Sequence, residues 1–103
     1  MALPDLTPLQ RAQALDKAAD ARRRRAQIKT ALKAREITLS EVFELAETDE
    51  AIAKMRVTTL LESLPRVGVT TAAALMESCA IAPSRRIRGL GSVQRRLLVD
   101  RFG

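Results

Sequence analysis

Apolar side chains recur along this chain at helical spacing, and no stretch alternates apolar and polar residues as a strand would. Leu39, Val42, Phe43 and Ala46 fall at i, i+3, i+4 and i+7, the stripe that a helix buries on one face. Thr38-Leu39-Ser40-Glu41 supplies a capping box at its start. Asp49 and Glu50, after Thr48, predict a short third helix through Met55. Val57 to Leu64 reads as a fourth, stopped by Pro65 because a residue before proline is pushed out of the helical region. Residues 70–80 form a fifth, with Ala72, Ala73 and Ala74 small enough for a neighbouring helix to come close. Ser92 is expected to cap a last helix whose apolar residues are Val93, Leu97, Leu98 and Phe102.

The N-terminal third follows a different pattern. Thr7-Pro8-Leu9-Gln10 carries an N-cap, a proline at the first helical position and a capping glutamine. From there to about Ala34 no glycine or proline interrupts a helix of about 40 Å. Its only large apolar residues are Leu9, Leu15, Ile28 and Leu32, and Arg22 to Arg25 point to nearly every side. Such a helix must project from the body or lie across it, held near its C-terminal end. The expected fold class is all-α: a long basic helix over 1–36, then a compact multi-helix domain over 37–103.

Composition narrows the function. At 103 residues the chain has room for one small core. No stretch is long and apolar enough to cross a membrane and none resembles a signal peptide, so a cytoplasmic protein is expected. Cys79 is the only cysteine and histidine is absent, which removes an intrachain disulfide, a Cys/His zinc site and the usual nucleophile dyads. Cys79 reads as a small apolar residue. No metal, cofactor, small-molecule substrate or catalysis is expected.

The net charge of +6 is unevenly spread. Residues 1–35 hold nine basic and three acidic groups, residues 36–56 two and six, and residues 57–103 seven and three. Two basic regions seek a polyanion, and the acidic middle is expected to face away from it. A membrane surface is disfavoured, because the first helix lacks large apolar residues opposite its charges.

Three groups of residues are candidates for holding the polyanion. In "LPRVGVTTAAALM", residues 64–76, Pro65 ends one helix and Gly68 is expected to be left-handed before the next. The N–H groups around Gly68, Val69, Thr70 and Thr71 would then point outward at a helix N-terminus and take one phosphate. Arg66 adds a charge there, at a cost of about 1 kcal/mol if its φ is positive. In "SRRIRGLGS", residues 84–92, Arg85, Arg86 and Arg88 alternate with Ile87 and Leu90, which would anchor the loop, while Gly89 and Gly91 permit another backbone to come close. On the first helix, Arg22, Arg23, Arg25 and Lys29 can lie along a phosphate backbone. No bidentate base-reading set and no exposed aromatic platform is evident, so duplex DNA is favoured over single strands. Structured RNA remains the alternative.

"MALPDLTPLQRAQALDKAADARRRRAQIK", "KMRVTTLLESLPRVG" at 54–68 and "SRRIRGLGSVQRRLL" at 84–98 together resemble the actinobacterial integration host factors of the mycobacterial and streptomycete type. The resemblance implies a helix–two-turns–helix domain behind a long helix, which binds double-stranded DNA with little sequence preference. It also implies a nucleoid-associated protein and a host factor for phage integration, working with integrase complexes. A monomer is expected. The chain departs from the family at the hairpin, which usually reads Leu-Pro-Gly-Val-Gly-Lys. Here Arg66 replaces the first glycine and Val69 the lysine.

Overall fold

The computed structural model describes residues 6–103. It contains α1 (Pro8–Lys33), α2 (Leu39–Ala46), α3 (Glu50–Ala53), α4 (Val57–Glu62), α5 (Val69–Ser78), a single 3-10 turn (Ile87–Gly89) and α6 (Ser92–Phe102). No strand occurs among the described residues; one isolated antiparallel bridge joins Arg56 and Arg86. The chain is all-α, as the spacing predicts.

Both threonine capping boxes form. Thr7 accepts from the Gln10 amide and its own amide donates to the Gln10 side chain, and Thr38 and Glu41 exchange the same pair. Residues 8–18 of the long helix are exposed. The second half of α1 meets the body, through Arg24 on Asp49, half-buried Ile28 and fully buried Leu32. Leu32 enters the same core as Leu39, Val42, Ile52, Leu60 and Leu98. The helix therefore projects from an anchor shared with the body.

Two sequence expectations need correction. Gly68 is not left-handed: its φ of −95° and ψ of −174° are extended, and it is the N-cap of α5. Among the described residues, those with positive φ are Arg35 (62°), Arg66 (64°) and Ala80 (55°), besides the final Gly103. Arg35 and Ala80 directly follow the caps of α1 and α5, whereas Arg66 lies in the hairpin turn four residues after α4. At those two helix ends the amides of Glu36 and Ile81 reach back to the carbonyls of Ala31 and Met76.

Helix α6 also differs from the expected pattern. Its N-cap is Gly91, whose amide donates to the Gln94 side chain at 2.9 Å, and Ser92 is already inside the helix. Val93 and Leu97 are exposed, while Leu98 is buried and Val99 and Phe102 pack against the core. The inward stripe is Arg95, Leu98, Val99 and Phe102, with the Arg95 guanidinium over the Phe43 ring at 5.7 Å. An arginine stem occupies an apolar position and turns the helix by about one residue.

Candidate nucleic-acid interface

The arginine loop is fixed by backbone and core together. The Val57 amide donates to the Arg85 carbonyl at 3.0 Å and the Ile87 amide to the Met55 carbonyl at 2.9 Å, so residues 55–57 and 85–87 run side by side. Ile87 is fully buried and Leu90 nearly so, as the interleaving predicts. The arginines on this anchored turn are exposed. Arg86 Nη1 donates to the Lys54 carbonyl at 2.6 Å and Arg85 Nη1 to the Gly89 carbonyl at 3.2 Å. Gly89 makes room for that side chain: a Cβ there would lie 2.9 Å from Arg85 Cδ. The close approach is therefore by a side chain of the same loop, not by another backbone as the sequence suggests.

The hairpin lies at the other end of α4. Ser63 ends this helix, the Val67 amide donates to the Leu64 carbonyl at 3.2 Å, and buried Val67 pins the turn. Arg66, Gly68, Val69, Thr70 and Thr71 are all exposed, Val69 by 72%. No side chain caps α5, so the amides of its first turn face outward unpaired among the described residues. A Cβ added to Gly68 would meet nothing within 4 Å. Neither conformation nor packing requires glycine there, and its bareness leaves the space above the helix start open to an outside group.

Helix α1 packs against α3 and forms one wall of the grooves at both ends of α4. Arg22, Arg25 and Lys29 lie on one face of α1, at i, i+3 and i+7. With Lys54, Arg56 and Arg86 they line a groove of about 510 Å³ that also includes Ala26, Met55 and Thr59. That groove gathers six cationic side chains and no carboxylate. Further along, Lys29 and Lys33 lie beside Glu62 and Ser63, and Lys33 Nζ donates to the Leu64 carbonyl at 3.2 Å. The two basic regions of the sequence thus meet in this groove, where Arg22, Arg25 and Lys29 of the first face Arg86 of the second. Arg56 and Lys54 escaped the sequence reading. They join the site through a pairing between segments 30 residues apart, which no local pattern announces.

The run Arg22–Arg25 divides by helix face. Arg23 points away from the groove and pairs with Asp20 at 2.8 Å. Arg24 turns toward the body and pairs with Asp49 at 2.6 Å, and Lys54 pairs with Glu50 at 2.7 Å. Not all of the acidic middle faces away, therefore. Asp49 and Glu50 border the basic groove, neutralised by partners. Burial pushes the Asp49 carboxyl up, but the Arg24 guanidinium and the amides of Ala51 and Ile52 outweigh it and hold the group below its ordinary value. Lys54, with help from Lys17, lowers Glu50.

An all-α domain with a bare helix start on one turn, arginines on another and a basic helix across both belongs to the helix–two-turns–helix class. The family model of the S13-like H2TH domain matches residues 32–102. The integration host factor of Mycobacterium tuberculosis is 52% identical over 103 residues, covering 100% of this chain and 98% of its own. That of Streptomyces coelicolor is also 52% identical, covering 100% and 96%. A solved structure of sIHF bound to an 8 bp palindromic DNA superposes with a TM-score of 0.82 at 48% identity, over 85% of this chain and 99% of that one. The chain belongs to the integration host factor family of mycobacteria and Streptomyces.

Proposed function

We propose that the protein binds double-stranded DNA with little sequence preference, as a nucleoid-associated architectural protein. In this reading it is also a host factor for phage site-specific integration and meets integrase complexes as a monomer on DNA. The observation that carries it is the groove in which six cationic side chains from α1, from residues 54–56 and from the arginine loop converge without a carboxylate. The DNA-bound relative of the same fold supports it.

Each part has a physical role. Arg85, Arg86, Arg88, Arg22, Arg25, Lys29 and Arg56 displace counterions from phosphates, which supplies affinity blind to sequence. The amides from Gly68 to Thr71 hold one phosphate at the start of α5, where helix dipole and unpaired donors act together. Arg66 stands beside them. The loop arginines are short of base-reading partners but fit a narrow minor groove, whose negative potential attracts guanidinium groups.

Titration of mixed-sequence duplexes against salt tests the reading. With about four to seven phosphates engaged, log K should fall with log salt at a slope of roughly −4 to −6, alike for unrelated sequences. A clear preference for structured RNA in competition, or a slope near zero, would overturn it.

A further inference from the structure

We propose that the Arg24–Asp49 pair aims the long helix, making Arg24 a positioning residue for DNA binding and not one of its phosphate contacts. The inference rests on the reading that the groove face of α1 meets DNA.

Among the described residues, α1 is tied to the body by two polar contacts. Lys33 reaches the Leu64 carbonyl near the C-terminal end, and Arg24 reaches Asp49 nine residues earlier. Between them lie Ile28 and Leu32, apolar anchors that resist separation but only weakly resist rolling or tilting. Asp49 is a rigid point to hold. Its Oδ1 accepts the Ala51 amide at 3.0 Å as the cap of α3, its Oδ2 takes Arg24 at 2.6 Å, and its side chain is 19% exposed.

Geometry makes this contact consequential. Residues 8–23 extend beyond it by about 24 Å, so a tilt of about 10° at Arg24 would move the helix tip by about 4 Å. A roll about the Leu32 anchor would carry Arg22, Arg25 and Lys29 away from Arg56 and Arg86 together. A carboxylate beside a DNA surface repels phosphate, so its placement at the groove's border needs a compensating use. Holding the helix in register is that use.

Asp49→Asn separates the two effects because they have opposite signs. The amide oxygen still caps α3, but a negative charge leaves the edge of the interface. Electrostatics alone would then raise duplex affinity, by about two-fold at moderate salt. Loss of aim should instead lower it, by about three-fold or more, since misaligned charges lose contacts together. Arg24→Lys, which keeps a cation within reach, should retain binding closer to that of the parent.

A measurement without DNA accompanies the titration. Spin labels at Gln13→Cys and Val93→Cys, both exposed positions, are introduced in a Cys79→Ser background. The parent should give one narrow distance distribution, and Asp49→Asn a broader or shifted one. An unchanged distribution overturns the clamp whether or not the parent binds duplex. Tighter binding by Asp49→Asn overturns the aiming role, and failure of the parent to bind duplex refutes the proposed function while the distance arm still decides the clamp.

Discussion

Arg66 sits at φ +64° in the hairpin, where the family pattern has glycine, and replacing it with glycine should raise stability and lower DNA affinity at once. The left-handed conformation costs a non-glycine residue about 1–2 kcal/mol. Glycine removes that strain but frees the unfolded chain by about 0.4–1 kcal/mol. The net gain should be about 0.5 kcal/mol, or about 2–4 °C in Tm for a domain of this size. The Arg66 side chain is exposed and makes no ion pair among the described residues, so nothing native is lost with it. If Arg66 holds a phosphate as proposed, the same change should remove one contact on DNA. The salt slope should become shallower by about 0.9 and affinity should fall about five-fold, the equivalent of about 1 kcal/mol.

Ala80→Gly is the matched control, at φ +55° at the end of α5 and without charge. It should gain similar stability and bind DNA unchanged. Thermal unfolding and salt-dependent anisotropy on one 20 bp mixed-sequence duplex measure both effects. A lower Tm for Arg66→Gly would refute the strain argument, and an unchanged salt slope would refute the phosphate contact.

Other consequences can be tested alongside. Replacing Arg85, Arg86 and Arg88 together with Ala should weaken binding to all sequences alike and reduce the salt slope by about 2–3. Losing the Arg86 bond to the Lys54 carbonyl should cost the fold no more than about 1 kcal/mol, so circular dichroism should still report a folded helical protein. Gly68→Ala should leave Tm the same or slightly higher, since the backbone is extended and the added Cβ meets nothing. It should nevertheless weaken duplex binding several-fold by standing between phosphate and amides; unchanged affinity would remove the hairpin from the interface. Because the Asp49 carboxyl is held below its ordinary value, its contribution is fully present above about pH 4 and is lost as pH falls through the lower native value. Acid unfolding of Asp49→Asn should lack that component, and identical acid transitions would show that the pair does not stabilise the native state.

The readable parts of the fold were those written in local chemistry. Thr7 and Thr38 announced two helix starts because a capping box is complete within four residues, and Ile87 and Leu90 marked the arginine loop as anchored. The left-handed turns were harder to read, because Arg35, Arg66 and Ala80 hold conformations for which glycine is the usual signal. Gly68 drew that assignment and has a different use. At α6 the apolar pattern pointed to Val93 and Leu97, but the Arg95 stem over Phe43 completes the buried stripe, and amphipathic side chains leave no mark in a binary pattern.

The site was legible as two charge clusters and illegible as one surface, for a physical reason. Charge along a sequence adds by neighbourhood, whereas the field at a phosphate adds by distance in space. Arg56 and Lys54 belong to the acidic middle of the chain, yet the pairing of residues 55–57 with 85–87 carries them into the basic groove. Asp49 and Glu50 come with them, and their repulsion is cancelled locally by Arg24 and Lys54. The four consecutive arginines, which reach nearly every side of the helix, are therefore spent in three ways. Arg22 and Arg25 face the groove, Arg23 faces away, and Arg24 is neutralised within the molecule. Substituting each arginine singly should give unequal losses in duplex affinity. Arg22 and Arg25 should reduce the salt slope, Arg23 should change it least, and Arg24 should lower affinity through helix orientation. Equal losses across the run would mean that net charge alone governs binding and that the division by helix face has no functional weight.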